Sequence, residues 1–445
     1  MISFILCILA VLVLVTPSVF GMFNYTDYDN DFVNPSYILA GHFDASTTNA
    51  QNSIVEWADW LGAQGPWSVT YKTIVPPSGD KHDYMSWAPY YWPNCTGVDN
   101  TTQLTPEQIW TECPYYSRDG MFNPDRLLVN DTGAFETMSD AVFYNAIAWA
   151  ITGSPRHSAS AVDFINTWFL ANDTGQNPNL NYAQMHRGPD GQMGTHTGLL
   201  DFKQMAKLTS GILILRDGNS PDWTNDIDSQ MIDWTNAYLD WVMNSDIAYQ
   251  EYIYPNNHGT YMHNQVASLQ ILVGDRDSAI DTINHYFSHQ YLDQINATGE
   301  QPLEASRTHP YHYRCYNLAA MIVNLRIGSY LGIDFSKTTT SQGATIQTAA
   351  DFTMLQTPNL DDADGPLVEL YPPVAAVASI YGDPGGKYAA FLANGEKTYP
   401  YEPYFLWNQP LLDSGSHTAS KPSVPPHTDP KQAHRSMKKL RRKLL

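Results

Sequence analysis

Apolar residues along the chain fall mainly at helical spacing. Residues 51–62 carry Ile54, Val55, Trp57, Trp60 and Leu61 in such a pattern. From residue 105 onward the pattern is almost continuous. It predicts helices at 137–151, 159–170, 199–215, 223–243, 258–272, 277–292, 316–331, 344–355 and 368–380, separated by Gly, Pro, Asn and Asp. Thr105-Pro106-Glu107 opens a further helix with a cap and a first-turn proline. Strand signals are few: residues 69–78 read strand-like and then break at Pro and Gly. Successive helices of similar length predict an all-α protein of antiparallel helix pairs. No fixed period recurs, so a solenoid repeat is not expected. The pattern fades after Gly382. Residues 386–412 are Tyr/Pro-rich and are expected to pack on the helical body.

Two helix entrances carry candidate chemistry. The first is Tyr254-Pro255-Asn256-Asn257-His258-Gly259-Thr260-Tyr261. Amides, an imidazole and the free N–H groups of a helix start all suit a carboxylate or a developing oxyanion. An Asn cap with a surface histidine is the plainer reading of the same residues. The second entrance runs from Gln301 through Glu304 and Arg307 to His312-Tyr313-Arg314-Cys315-Tyr316-Asn317. Arg307 can clamp a carboxylate with two parallel hydrogen bonds. Tyr313 is a phenol able to move protons if cations lower its pKa, or simply a half-buried ring with a bonded tip.

Two loops flank these entrances. The stretch HDYMSWAPYYWP (82–93) has too many aromatics for a solvated loop and too many prolines for a helix. Tyr84, Trp87, Tyr90, Tyr91 and Trp92 are candidates to floor a saccharide cleft, with some bracing the loop from inside. The polar insert 177–198 is long enough to be a lid or site wall. Its His186, Arg187 and His196 match no metal spacing and read as surface residues.

Asn256-Asn257-His258-Gly259-Thr260, the Arg307–Tyr313 stretch and HDYMSWAPYYWP together resemble the alginate lyase family of polysaccharide lyases. Further echoes are Ser117-Arg118-Asp119-Gly120 with Asn123-Pro124, Asn181-Tyr182-Ala183-Gln184, and Leu239-Asp240-Trp241. They occur in the family's order between roughly residues 50 and 335. The resemblance implies an α/α toroid, an incomplete barrel of helix pairs with long loops over a cleft. It implies β-elimination in a 4-linked uronic-acid polymer. Asn257, His258 and Arg307 match the groups that neutralise the uronate carboxylate, and Tyr313 matches the catalytic tyrosine. The Arg-to-Tyr spacing is one residue shorter than in the best-studied members, which leaves Tyr311 as a competitor. His258 is the alternative base. Asn256, Tyr84, Trp87, Trp92, Gln184 and His312 are the expected substrate contacts. No metal or organic cofactor is required. A glycoside hydrolase using Glu304 and Glu251, or a non-catalytic carbohydrate-binding protein, is the alternative.

Composition sharpens this picture. The 445 residues are 43% hydrophobic and 13% aromatic, enough for one large globular domain or two smaller ones. A net charge of −21 excludes a nucleic-acid partner and requires any site for a polyanionic sugar to be locally basic, through Arg307, Arg314 and nearby histidines. Residues 1–21 form an apolar run that reads as a secretory signal, with an uncleaved anchor as the alternative. No other run is long enough to span a bilayer. Sequons at Asn24, Asn94, Asn100, Asn130, Asn172 and Asn296 fit a secreted eukaryotic glycoprotein of fungal type. Cys95 and Cys113 flank a polar loop and are expected to pair, leaving Cys315 as a buried thiol. The domain is expected over 22–412 and a disordered basic tail over 413–445. A monomer acting on an acidic polysaccharide is the expectation.

Overall fold

The computed structural model describes residues 30–98, 103–359 and 367–409. The expected signal, the expected tail over 413–445 and the sequons at Asn24 and Asn100 lie outside them. The first helices are α1 (Pro35–Ala40), α2 (Thr48–Gly62), α3 (Pro106–Glu112), α4 (Asp131–Thr152), α5 (Pro155–Ile165) and α6 (Met205–Asp217). There follow α7 (Asn225–Asn244), α8 (Asp246–Tyr252), α9 (Asn257–Leu272), α10 (Arg276–Ser288) and α11 (Pro302–Ala305). The last are α12 (Pro310–Tyr330), α13 (Ile346–Thr353), α14 (Tyr371–Tyr381), α15 (Lys387–Gly395) and α16 (Tyr404–Trp407).

Helices α4, α6, α9, α12 and α14 form an inner layer, each packed on the next. A helix buried on every side belongs inside. In α9 every residue from Gly259 to Leu272 is buried, and in α6 every residue from Met205 to Leu215. The outer helices bury one face only. α10, packed on α9, buries Ser278, Ala279, Thr282, Ile283, Tyr286 and Phe287 in pairs one turn apart. α2 and α5 cover α4, α13 covers α12, and α15 covers α14. The result is an α/α toroid.

Prolines explain most of the boundary differences. α12 begins at Pro310, not at residue 316, and α5 begins at Pro155, because proline is favourable in a first helical turn. Tyr313 is therefore on a helix. Residues 69–71, which read as strand-like, form a 3-10 turn. Helices α15 and α16 occupy the region where the apolar pattern fades.

Among the described residues, four short strands hold the loops. β1 (Met85–Trp87) pairs in parallel with β4 (Tyr182–Met185), so the aromatic stretch and the polar insert share a ladder. β2 (Tyr91–Pro93) pairs antiparallel with β3 (Tyr115–Ser117). The Cys95–Cys113 disulfide closes this second pair, with Cα atoms 4.8 Å apart. Cys315 is buried outside that bridge, hydrogen-bonded to Tyr311. Asn94, Asn130 and Asn172 are exposed and Asn296 is half-buried. Among the described residues, no helix is long and apolar enough to cross a membrane.

Candidate active site

The start of α9 is set by its own sequence. Asn256 caps it, its side chain accepting from the His258 N–H at 3.1 Å. Gly259 is needed for a close approach: a Cβ there would lie 2.0 Å from the Tyr254 carbonyl oxygen. The chain thus folds back tightly before the helix, leaving Asn257 and His258 in its first turn.

Glu251, on α8, fixes the imidazole. Its carboxylate accepts from His258 Nδ1 at 2.6 Å and from His196 Nδ1 at 2.7 Å, one oxygen to each ring. Burial pushes the Glu251 carboxyl up, but the His258 charge and the two hydrogen bonds outweigh it and hold the group below its usual range. A carboxylate only accepts, so each Nδ1 carries the hydrogen, and in the neutral ring the opposite nitrogen, Nε2, is the acceptor. The ligand atoms of His196, Glu251 and His258 all lie within 4.8 Å of one another. Ligands around a shared zinc ion stand roughly 3.3 Å apart. The shorter nitrogen-to-oxygen separations here are those of a hydrogen-bonded bridge.

The second cluster meets the first through Glu304. This buried carboxyl accepts from the Asn257 backbone N–H at 2.8 Å and from Asn257 Nδ2 at 2.7 Å. It also feels the charges of His258 and Arg307. Arg307 Nη2 donates to Tyr313 Oη at 2.7 Å and to Asp119 Oδ1 at 3.0 Å, with the guanidinium 3.8 Å over the Tyr313 ring. Tyr90 Oη lies 3.4 Å from Tyr313 Oη. Burial raises the Tyr313 phenol well above its usual range, Tyr90 adds to this, and Arg307 opposes it. The resting group is therefore a neutral phenol, and the Arg307 cation does not bring it below its usual range. Tyr311 is buried in the core against Cys315, so its hydroxyl is not offered to the cleft.

Asp119 reaches Arg307 from the loop after β3, and its other oxygen accepts from Thr308 Oγ1 at 2.6 Å. Gly120 makes this contact possible: its φ is +75°, and a Cβ there would stand 2.6 Å from His309 Nε2.

Several expected substrate contacts are turned elsewhere. Tyr84 is wholly buried, its hydroxyl bonded to Asp201 and Thr132. Trp87 is buried beneath Arg187, whose guanidinium sits 4.2 Å over its ring and 4.4 Å over Tyr115. Arg187 is thus an interior residue and not a surface one. Gln184 donates to Asp201 at 2.9 Å, and Asn181 accepts from Trp241 Nε1 at 2.9 Å. Their physical role is to brace the β1–β4 ladder. Arg314 is held by both oxygens of Glu300, at 2.7 and 2.8 Å, which neutralises a charge assigned to the cleft. His312 bonds Glu369 at 2.9 Å and stacks on Tyr316. Tyr90, Tyr91 and Trp92 remain half-exposed; Tyr91 stacks on His186, and Arg118 lies 5.0 Å over Trp92. Sequence reasoning missed His196 and Asp119 as partners of the site. Glu251 entered only as a hydrolase candidate.

A toroid with an amide, an imidazole, a guanidinium and a phenol gathered at two inner helix starts defines a polysaccharide lyase. The sequence model of the family described as alginate lyase matches residues 68–362, and the chain belongs to that family. An alginate lyase from Bacteroides ovatus is similar in structure: 26% identity, TM-score 0.74, covering 86% of this chain and 100% of that one. Alginate lyase A1-III from Sphingomonas species A1 is more distant, with 13% identity and TM-score 0.44 over 75% of this chain and 88% of that one. No curated protein matches the sequence significantly.

Proposed function

We propose that this lyase acts outside the cell on alginate or a closely related polyuronate, with His258 as base and Tyr313 as acid. The proton to be removed sits on C5, beside a carboxylate. That carbon is a poor acid until the carboxylate charge is neutralised. Arg307 supplies donors for this, with the Asn257 amide beside it, and their effect grows as charge builds in the enolate-like intermediate. His258 suits the base because its Nδ1–H is committed to Glu251, so Nε2 is the nitrogen left to accept a proton. Tyr313 suits the acid because it rests as a phenol with a proton to give to the departing O4. For a sugar whose C5 hydrogen lies on the other face, Tyr313 takes that proton instead, with Arg307 stabilising the phenolate.

The observation that carries this reading is Glu304, which is bonded to Asn257 and lies within electrostatic reach of both His258 and Arg307, the partner of Tyr313. The same geometry disfavours hydrolysis, which needs two carboxyl groups facing the sugar. Glu251 is engaged by two imidazoles and Glu304 by Asn257. The signal-like residues 1–21 and the sequons support action outside the cell. Polymannuronate, polyguluronate, alginate and glucuronan, each followed by ultraviolet absorbance, test the assignment. At least one should yield an unsaturated uronate. New reducing ends without absorbance would instead show a hydrolase.

A further inference from the structure

Asn257 is wholly buried, and its amide is only half used. Nδ2 donates to Glu304 Oε2, while Oδ1 is buried with no hydrogen-bond partner. Leaving a buried acceptor without a donor is costly, so such an atom marks an unfinished interaction. The unfinished end is also the wrong one. A uronate carboxylate needs donors, and the amide end not held by Glu304 is an acceptor.

We infer that Glu304 is a positioning residue which takes up a proton when substrate binds and thereby turns the Asn257 amide. Rotating that amide by half a turn places Oδ1 against Glu304 Oε2. Two bare acceptors repel there, but a protonated Oε2–H donates to Oδ1. Nδ2 is then released as a donor for the uronate. The oxygen and nitrogen ends have nearly the same shape, so no repacking is needed. The backbone N–H of Asn257 continues to donate to Oε1, which keeps the carboxyl in place.

The carboxylates gathered at the site favour that uptake, while the cations facing Glu304 oppose it. Facing it are His258 on α9, Arg307 after α11 and the buried Tyr286 on α10. The site already holds Glu251, Glu304 and Asp119, and a uronate adds a fourth carboxylate. One proton on Glu304 removes one of these charges. Glu251 is unsuited, because two N–H donors hold it ionised. Burial, by contrast, lifts the Glu304 carboxyl above its usual range, despite the hydrogen bonds from Asn257 and the nearby cations.

This inference rests on the site gripping a uronate carboxylate, and the test separates the two claims. Calorimetric titration of the Tyr313→Phe protein with a saturated mannuronate tetrasaccharide, in buffers of differing ionisation enthalpy, counts protons without turnover. Uptake should approach one proton per oligosaccharide once the pH is high enough to ionise Glu304 in the free enzyme. Glu304→Gln supplies a permanent N–H to Oδ1, so it should bind without uptake and keep turnover within about threefold, whereas Glu304→Ala should lose roughly a hundredfold. Its KM should no longer climb with pH. No uptake at any pH, or a folded Glu304→Gln enzyme as inactive as Glu304→Ala, overturns the assignment. Ultraviolet absorbance of wild-type product is read separately: product without proton uptake ends only the Glu304 role, and no product from any polyuronate ends the lyase mechanism.

Discussion

Replacing Arg307 by lysine keeps the charge and removes the geometry. In the structure one guanidinium nitrogen serves both Tyr313 Oη, at 2.7 Å, and Asp119, at 3.0 Å, while the planar group lies 3.8 Å over the phenol ring. A lysine ammonium is a point donor on a flexible stem and cannot stack and fork together. A charge-assisted hydrogen bond to the tyrosine is worth about 1.5–3 kcal/mol, and it strengthens as the phenol loses its proton. The stacked contact adds about 0.5–1 kcal/mol. Together they predict a turnover loss of roughly a hundredfold, with a smaller rise in KM. The fold should survive, because the Asp119 pair is partly exposed and such pairs contribute about 0–1 kcal/mol. Steady-state kinetics on the best polyuronate, with circular dichroism as the folding control, reads the outcome. A folded Arg307→Lys enzyme with turnover near wild type would remove Arg307 from the reaction.

Glu251→Gln should cost turnover at least about a hundredfold without unfolding the protein, since an amide NH₂ donates to one imidazole and forces its wrong tautomer; kinetics with a thermal melt checks this. Acid should destabilise the fold through the His263–His285 pair. Burial lowers His263 to about 3 and His285 to about 4, with neighbouring histidines adding to it, against an ordinary 6.5. Below 6.5 the unfolded chain takes protons that the folded chain refuses, so stability falls from there toward pH 4, by roughly 1.4 kcal/mol per pH unit for His263. Thermal unfolding across that window should show the fall, and His263→Gln should flatten it. Removing the Cys95–Cys113 bridge by a double serine substitution should cost roughly 3 kcal/mol by the loop-entropy argument. Denaturant unfolding, after mass mapping of the bridge, measures this cost.

Much of the fold could be read from local signals. The start of α9 was legible to within one residue, because Pro255, Asn256 and Gly259 mark it chemically. Arg307 and Tyr313 were legible as a pair because they share one helix entrance. What escaped was set by long-range packing. Tyr84 and Trp87 belong to an aromatic run whose alternation does not reveal which rings face inward; the β1–β4 ladder, formed with residues nearly a hundred positions away, decides that. His196 meets Glu251 across 55 residues, and Asp119 meets Arg307 across 188. No spacing rule connects such positions. The start of α12 was misplaced for a local reason: Tyr and His in its first turn masked the apolar period, although Pro310 marked the boundary.

The central claim is that one phenol and one imidazole at these two helix starts carry out β-elimination. Tyr313→Phe tests it most directly, because the change removes a single hydroxyl bonded to Arg307. The account predicts that wild-type enzyme generates ultraviolet-absorbing unsaturated uronate from alginate or a related polyuronate. The folded variant should still bind the same polymer while losing at least about a hundredfold in that rate. Turnover within a few-fold of wild type, or wild-type cleavage without the absorbance, would contradict it.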